Sequence, residues 1–187
     1  MRGPGSSLLA AVVAALLLIG GVGAAPAAAS DEGLRQLVKR ADRIGDRFEK
    51  RITILARRKA TSRAAGVRTM RTMQATVRDT RQRYRGERRK AVAELPETAQ
   101  ATEGRVLLLA GLKGLSQSLD RLHGTIDRYL VAVRRAGDRD VSRRALRRFQ
   151  RNLDATERTM KRAGRQMERA SKLIRAAPPV TAPAPAG

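Results

Sequence analysis

Cysteine and tryptophan are absent from the 187 residues, and histidine occurs once, at His123. Without a thiol there is no disulfide, no thiolate-bound metal and no cysteine nucleophile. A bacterial lipoprotein anchor is excluded as well, because it needs a cysteine at its cleavage point. Aromatic rings are almost as scarce: Phe48, Tyr84, Tyr129 and Phe149 are the whole set, too few to build a stacking platform for bases. No stretch alternates apolar and polar residues with period two, so no strand is predicted, and the phosphate loop that follows a strand goes with it. Carboxylates are in short supply too. Seventeen Asp and Glu against forty Lys and Arg leave a formal charge of +23, carried mostly by arginine, and an excess of that size sets a strong positive field.

What is present begins with a targeting pattern. Arg2 is followed by an apolar run over residues 8–19 and then by small residues. A charged start, an apolar middle and a small-residue exit make a secretory signal peptide. Ala27-Ala28-Ala29 supplies the A-x-A cleavage rule, with Val22-Gly23-Ala24 as a second site. Cleavage near Ala29 places the protein outside the cytosol, secreted or in the cell envelope or periplasm. The alternative is an N-terminal membrane anchor, disfavoured because Gly20, Gly21, Gly23 and Pro26 weaken the second half of the run as a helix.

From residue 30 onward the pattern is helical. Leu34, Val38, Ala41, Gly45, Phe48, Ile52 and Leu55 recur in steps of four and three. So do Leu108, Leu112, Leu115, Leu119, Leu122, Ile126, Tyr129 and Val133, and again Leu146, Phe149, Leu153, Thr156, Met160, Ala163, Met167, Ala170 and Ile174. A weaker stripe runs through Met70, Met73, Val77, Thr80, Tyr84, Ala91 and Leu95. Such steps keep one stripe on one side of a helix, which must be buried against other helices. Pro96 and Gly137-Asp138 mark turns. Apolar residues thin out over 57–68, and a turn near Thr61-Ser62 makes the fold class all-α, an antiparallel bundle of four helices spanning 30–175. The alternative is one long helix over 31–94, a three-helix hairpin. It would span about 95 Å, and only a homodimer could cover its first stripe. The tail over 176–187 is rich in Pro and Ala and is expected to be disordered.

No motif carries catalysis. Asp120, His123 and Asp127 share a helix at metal-ligand spacing, yet they lie opposite the Leu115–Leu122–Tyr129 stripe and are read as a solvated face. Leu95-Pro96-Glu97-Thr98-Ala99 resembles a sortase sorting signal, LPxTG, and departs from it at the last residue; with 88 residues after it, it is read as a turn. No nucleophile is flagged by a base and an orienting acid. The expectation is a non-enzyme with no cofactor and no metal.

The charge itself is unevenly placed. Codon bias in a GC-rich genome would also enrich arginine, but it would not obviously spare one helix. Residues 47–90 carry 16 cations and 3 anions, residues 134–175 carry 15 and 5, and residues 97–133 carry 4 and 4. Arg144, Arg148, Arg151, Arg158, Arg162, Arg165, Arg169 and Lys172 line the side opposite the last apolar seam. The 28 residue steps from Arg144 to Lys172 span about 42 Å of helix. Arg71, Arg78, Arg81, Arg85 and Arg88 form a second line beside their seam. Like charges one turn apart oppose helix formation by about 0.2–0.5 kcal/mol per pair, so both lines suit an extended anionic partner. The expected partner is an anionic envelope polymer or a membrane surface, with acidic proteins as a further class. Sequence-specific nucleic acid is not expected, because the four rings fall on the apolar stripes. The alternatives are a chaperone-like or protein-interaction bundle, or a structural bundle without a specific ligand. Basic, all-helical periplasmic chaperones are similar in shape and charge, but their LTxxQ motif has no match in Leu115-Ser116-Gln117-Ser118-Leu119.

Overall fold

The structure, a computed structural model, describes residues 31–137 and 139–178. The expected signal peptide and cleavage site, and residues 179–187 of the Pro/Ala tail, lie outside the described residues. Four helices follow one another: α1 (Glu32–Arg57), α2 (Arg63–Ala93), α3 (Ala99–Ala136) and α4 (Arg143–Ala176). They run up, down, up and down, with no strand among the described residues. The four-helix bundle is therefore the architecture, and the single long helix over 31–94 is not formed.

Each break has a local cause. Arg58 leaves the helical region, and Ser62 restarts it by accepting a hydrogen bond from the backbone N–H of Ala65 at 3.2 Å. Thr98 does the same for Ala101 at 3.1 Å, and Ser142 for Ala145 at 3.3 Å. These are N-caps, each pairing one of the orphan amides of a first turn. At the end of α3 the backbone of Gly137 turns to φ +55°, a region that side-chain-bearing residues avoid.

The apolar stripes meet in one core. Leu34, Leu37, Val38, Leu108, Leu112, Leu119, Val77 and Ile174 are almost completely buried. Leu95 departs from its expected place: it is 81 % exposed, because α2 ends at Ala93 and the helical period no longer holds in the link to α3. The stripe position between Tyr84 and Ala91 is filled instead by the acidic Glu87, which is buried. At the other boundary α4 reaches Ala176, and Ala177 is itself buried, so the first residues assigned to the tail belong to the bundle.

α3 and α4 approach most closely, and glycine is the reason. A Cβ at Gly104 would stand 2.6 Å from Ile174 Cγ1, one at Gly111 2.7 Å from Met167 Cγ, and one at Gly114 2.9 Å from Ala163 Cβ. These mid-helix glycines each cost about 1 kcal/mol in helix propensity and are offset by the packing they permit.

Candidate functional site: the arginine faces

Arginine divides into two populations in the folded chain. The first works internally. Arg35, in the first turns of α1, donates from Nε to the carbonyl of Ile174 at 3.2 Å and from Nη2 to that of Ala177 at 2.8 Å. Arg63, the first residue of α2, donates to the carbonyls of Arg139 (3.0 Å) and Val133 at the end of α3. Arg105 of α3 donates to the carbonyls of Ala91 at 2.9 Å and Val92 at 2.6 Å at the end of α2. A cation in an opening turn opposes its own helix dipole. In an antiparallel bundle, however, that turn lies beside the negative end of a neighbour, whose last carbonyls have no intrahelical partner. Arg105, in the second turn of α3, satisfies two of them, while Arg35 and Arg63 each satisfy one together with a carbonyl just beyond the helix end. The sequence reading missed this use, although a cation placed against its own dipole was a signal for it.

Two buried acids were missed as well. Asp31 is 2 % exposed, and its carboxylate accepts from the backbone N–H of Glu97 at 3.2 Å and the hydroxyl of Thr98 at 2.8 Å. It ties the start of α1 to the α2–α3 turn. Glu87 accepts from Arg40 Nε at 2.9 Å and Lys90 Nζ at 2.8 Å. Burial pushes the Glu87 carboxyl up, but the hydrogen bonds from Lys90 and Arg40 outweigh that and hold it below its ordinary value of 4.5. A carboxyl depressed in the folded state adds stability that is present above its unfolded value and lost as pH falls through the folded one. Glu87→Gln should therefore lower the melting temperature at pH 7. It should also flatten the decline expected of wild type below about pH 4.5. Circular-dichroism melts from pH 7 to 3 check this, and superimposable pH dependences would exclude the role.

The second population faces outward. On α4, Arg144, Arg148, Arg151, Arg158, Arg162, Arg165, Arg169 and Lys172 are all exposed. Lys172 pairs with Glu168 one turn away at 2.9 Å. Among the described residues, no carboxylate stands within 4.0 Å of the other seven. Two of the three acidic residues of α4 pair with lysines: Glu157 holds Lys161 at 2.8 Å, and Glu168 holds Lys172 within the row itself.

On α2 the line is less free. Arg71, Arg78, Arg85 and Arg88 are exposed and Arg81 is half-buried. Asp120 of α3 binds two of them, accepting from Arg81 through Oδ1 and from Arg85 through Oδ2 at 2.7 Å. Asp120 thereby departs from the expected solvated face, whereas Asp127 is exposed as that reading has it. Asp120 is turned toward α2 because the polar flank of α2 lies across from that side of α3, and Asp127, still in solvent, accepts from Gln74 Nε2 at 3.3 Å. Among the described residues, no group of three or more acidic, histidine or cysteine side chains is arranged to hold a metal ion. No helix there is long and apolar enough to cross a membrane. Phe48 and Tyr84 are core residues, and Tyr129 packs half-buried on Phe149 with ring centroids 4.5 Å apart. No family model, curated protein or solved structure matches the chain.

Proposed function

We propose that the protein is an exported, strongly basic binding protein that engages anionic envelope polymers or membrane surfaces through its arginine-rich helix faces. One observation carries the reading: the outward row on α4 is exposed along the helix, and seven of its eight cations have no carboxylate within 4.0 Å among the described residues. Such a row repels itself, and an anionic partner relieves the repulsion. Guanidinium suits the task, since its planar fork pairs with phosphate and carboxylate through two parallel hydrogen bonds. Export rests on the charged, apolar and small-residue order of residues 1–29.

A second reading has its own support. Val92, Leu95 and Val106 are exposed at 52 %, 81 % and 61 %, all at the end of the bundle that holds the α2–α3 turn. Exposed apolar side chains suit a chaperone-like or protein-interaction surface.

The two readings part in a titration of the purified chain with teichoic acid, anionic vesicles, DNA and an unfolding client protein at two salt concentrations. Binding to the anions that collapses between 50 and 200 mM salt, by about 10³-fold if some six phosphate contacts form, is the expected result. Suppression of client aggregation that survives high salt, without anion binding, would replace it with the chaperone-like reading.

A further inference from the structure

Gly124 stands apart from the other glycines of α3. Gly104, Gly111 and Gly114 are each required by the approach of α4, whereas the nearest atom to a Cβ at Gly124 is Arg128 Nη1 at 3.9 Å. Packing does not ask for a glycine there, and the helix is weaker for having one. Its missing side chain instead leaves a groove of about 230 Å³ between α3 and α4. Arg121 and Arg128, both exposed, line its α3 side, with the Arg128 guanidinium beside Gly124, and the half-buried Asn152 lines its α4 side. Thr125 is buried at the same place, and its Oγ1 accepts from Arg128 Nη2 at 3.4 Å. Asp120 also reaches the groove, but two guanidiniums of α2 already hold its carboxylate.

The neighbourhood adds to the charge. Arg148 lies one turn before Asn152, Arg151 one turn before Ala155, and Arg158 three residues beyond Ala155. Residues three and four apart are neighbours on a helix surface, so the exposed row of α4 passes along the lip of the groove. A linear anion laid on that row would have the mouth of the groove beside it.

We propose that the groove at Gly124 is a subsite for one phosphate group of a linear polyanion, held by Arg121, Arg128 and Asn152. The inference rests on the polyanion reading above and adds to it a defined position and a phosphate preference. A chain lying along the row favours a polymer over a bilayer, whose headgroups meet a protein as a plane.

Gly124→Ala is the test, because it drives stability and binding in opposite directions. Alanine is the better helix former, and its methyl intrudes on the groove. The purified full-length chain is titrated with inorganic tripolyphosphate by calorimetry, with phosphatidylglycerol vesicles in a parallel arm. Gly124→Ala is expected to melt higher than wild type and to bind tripolyphosphate at least fivefold more weakly. Gly86→Ala, at a helical position with nothing within 4 Å of a Cβ, should melt higher with affinity unchanged. Arg121→Gln with Arg128→Gln should weaken tripolyphosphate binding tenfold or more. Wild-type affinity in Gly124→Ala would overturn the subsite. The polyanion reading would still stand if charge reversal on α4 abolished binding. Absence of tripolyphosphate binding by wild type overturns the subsite too, and if vesicles alone are bound, the polymer is the wrong source of phosphate.

Discussion

Alanine at both Gly104 and Gly111 is expected to destabilise the bundle by up to about 4 kcal/mol, a large share of what holds it folded. A methyl at Gly111 would lie 2.7 Å from Met167 Cγ and 3.2 Å from the carbonyl oxygen of Ala163. One at Gly104 would lie 2.6 Å from Ile174 Cγ1 and 3.3 Å from the carbonyl oxygen of Ala170. The side chains can turn aside in part, but the two carbonyls belong to the backbone of α4, so the helix itself must move out. Overpacking of this kind costs about 1–3 kcal/mol per site. The gain in helix propensity, about 1 kcal/mol per site, offsets only part of it. The sites are seven residues apart, about 10 Å along the axis, but both press on the backbone of α4, so one outward shift serves both and the costs add only in part. A domain of this kind has only about 5–15 kcal/mol to lose. Urea unfolding followed by circular dichroism is the measurement, with Gly86→Ala as the control that should gain stability. If the double variant matched that control, the close approach of α3 and α4 would be wrong.

Reversing four charges on α4, Arg158, Arg162, Arg165 and Arg169 to Glu, should remove anion binding without unfolding the chain. All four are exposed, and none has a carboxylate partner within 4.0 Å among the described residues. Their loss therefore breaks no ion pair there. The formal charge falls from +23 to +15 (23 − 8), so the molecule stays strongly basic. A binding loss would then report the placement of charge on α4 rather than its total. Affinity for an anionic polymer at 50 mM salt is expected to fall by about a hundredfold or more, since each phosphate contact adds to the salt-dependent part of binding. The far-ultraviolet spectrum should be unchanged. Unaltered affinity in this variant would remove the reason for assigning the α4 face any binding role.

The bundle was legible because its signal is local and repetitive. Burying one stripe per helix requires an apolar residue every three or four positions, and Leu108, Leu112, Leu115 and Leu119 show that spacing without any knowledge of the neighbouring helices. The joints were legible for a similar reason. Ser62 and Gly137 act on their own backbone within three residues, and Pro96 restricts the residues next to it. The outward row on α4 could also be placed from spacing alone, as the side of the helix away from its apolar seam.

The sequence by itself thus determined that the described chain is helical, where two of its three turns fall and which side of α4 carries its charge, while the break near Thr61-Ser62 stayed one of two readings. All of these depend on residues within a turn or two of one another. Tertiary structure alone decided which charges are spoken for. Asp120 engages Arg81 and Arg85 across 39 and 35 residues of sequence, and Arg35 reaches the end of α4 across 139. It also decided that Gly104 and Gly111 serve packing while Gly124 opens a groove. A glycine looks the same in every sequence, and only the position of the facing helix separates a close contact from a space.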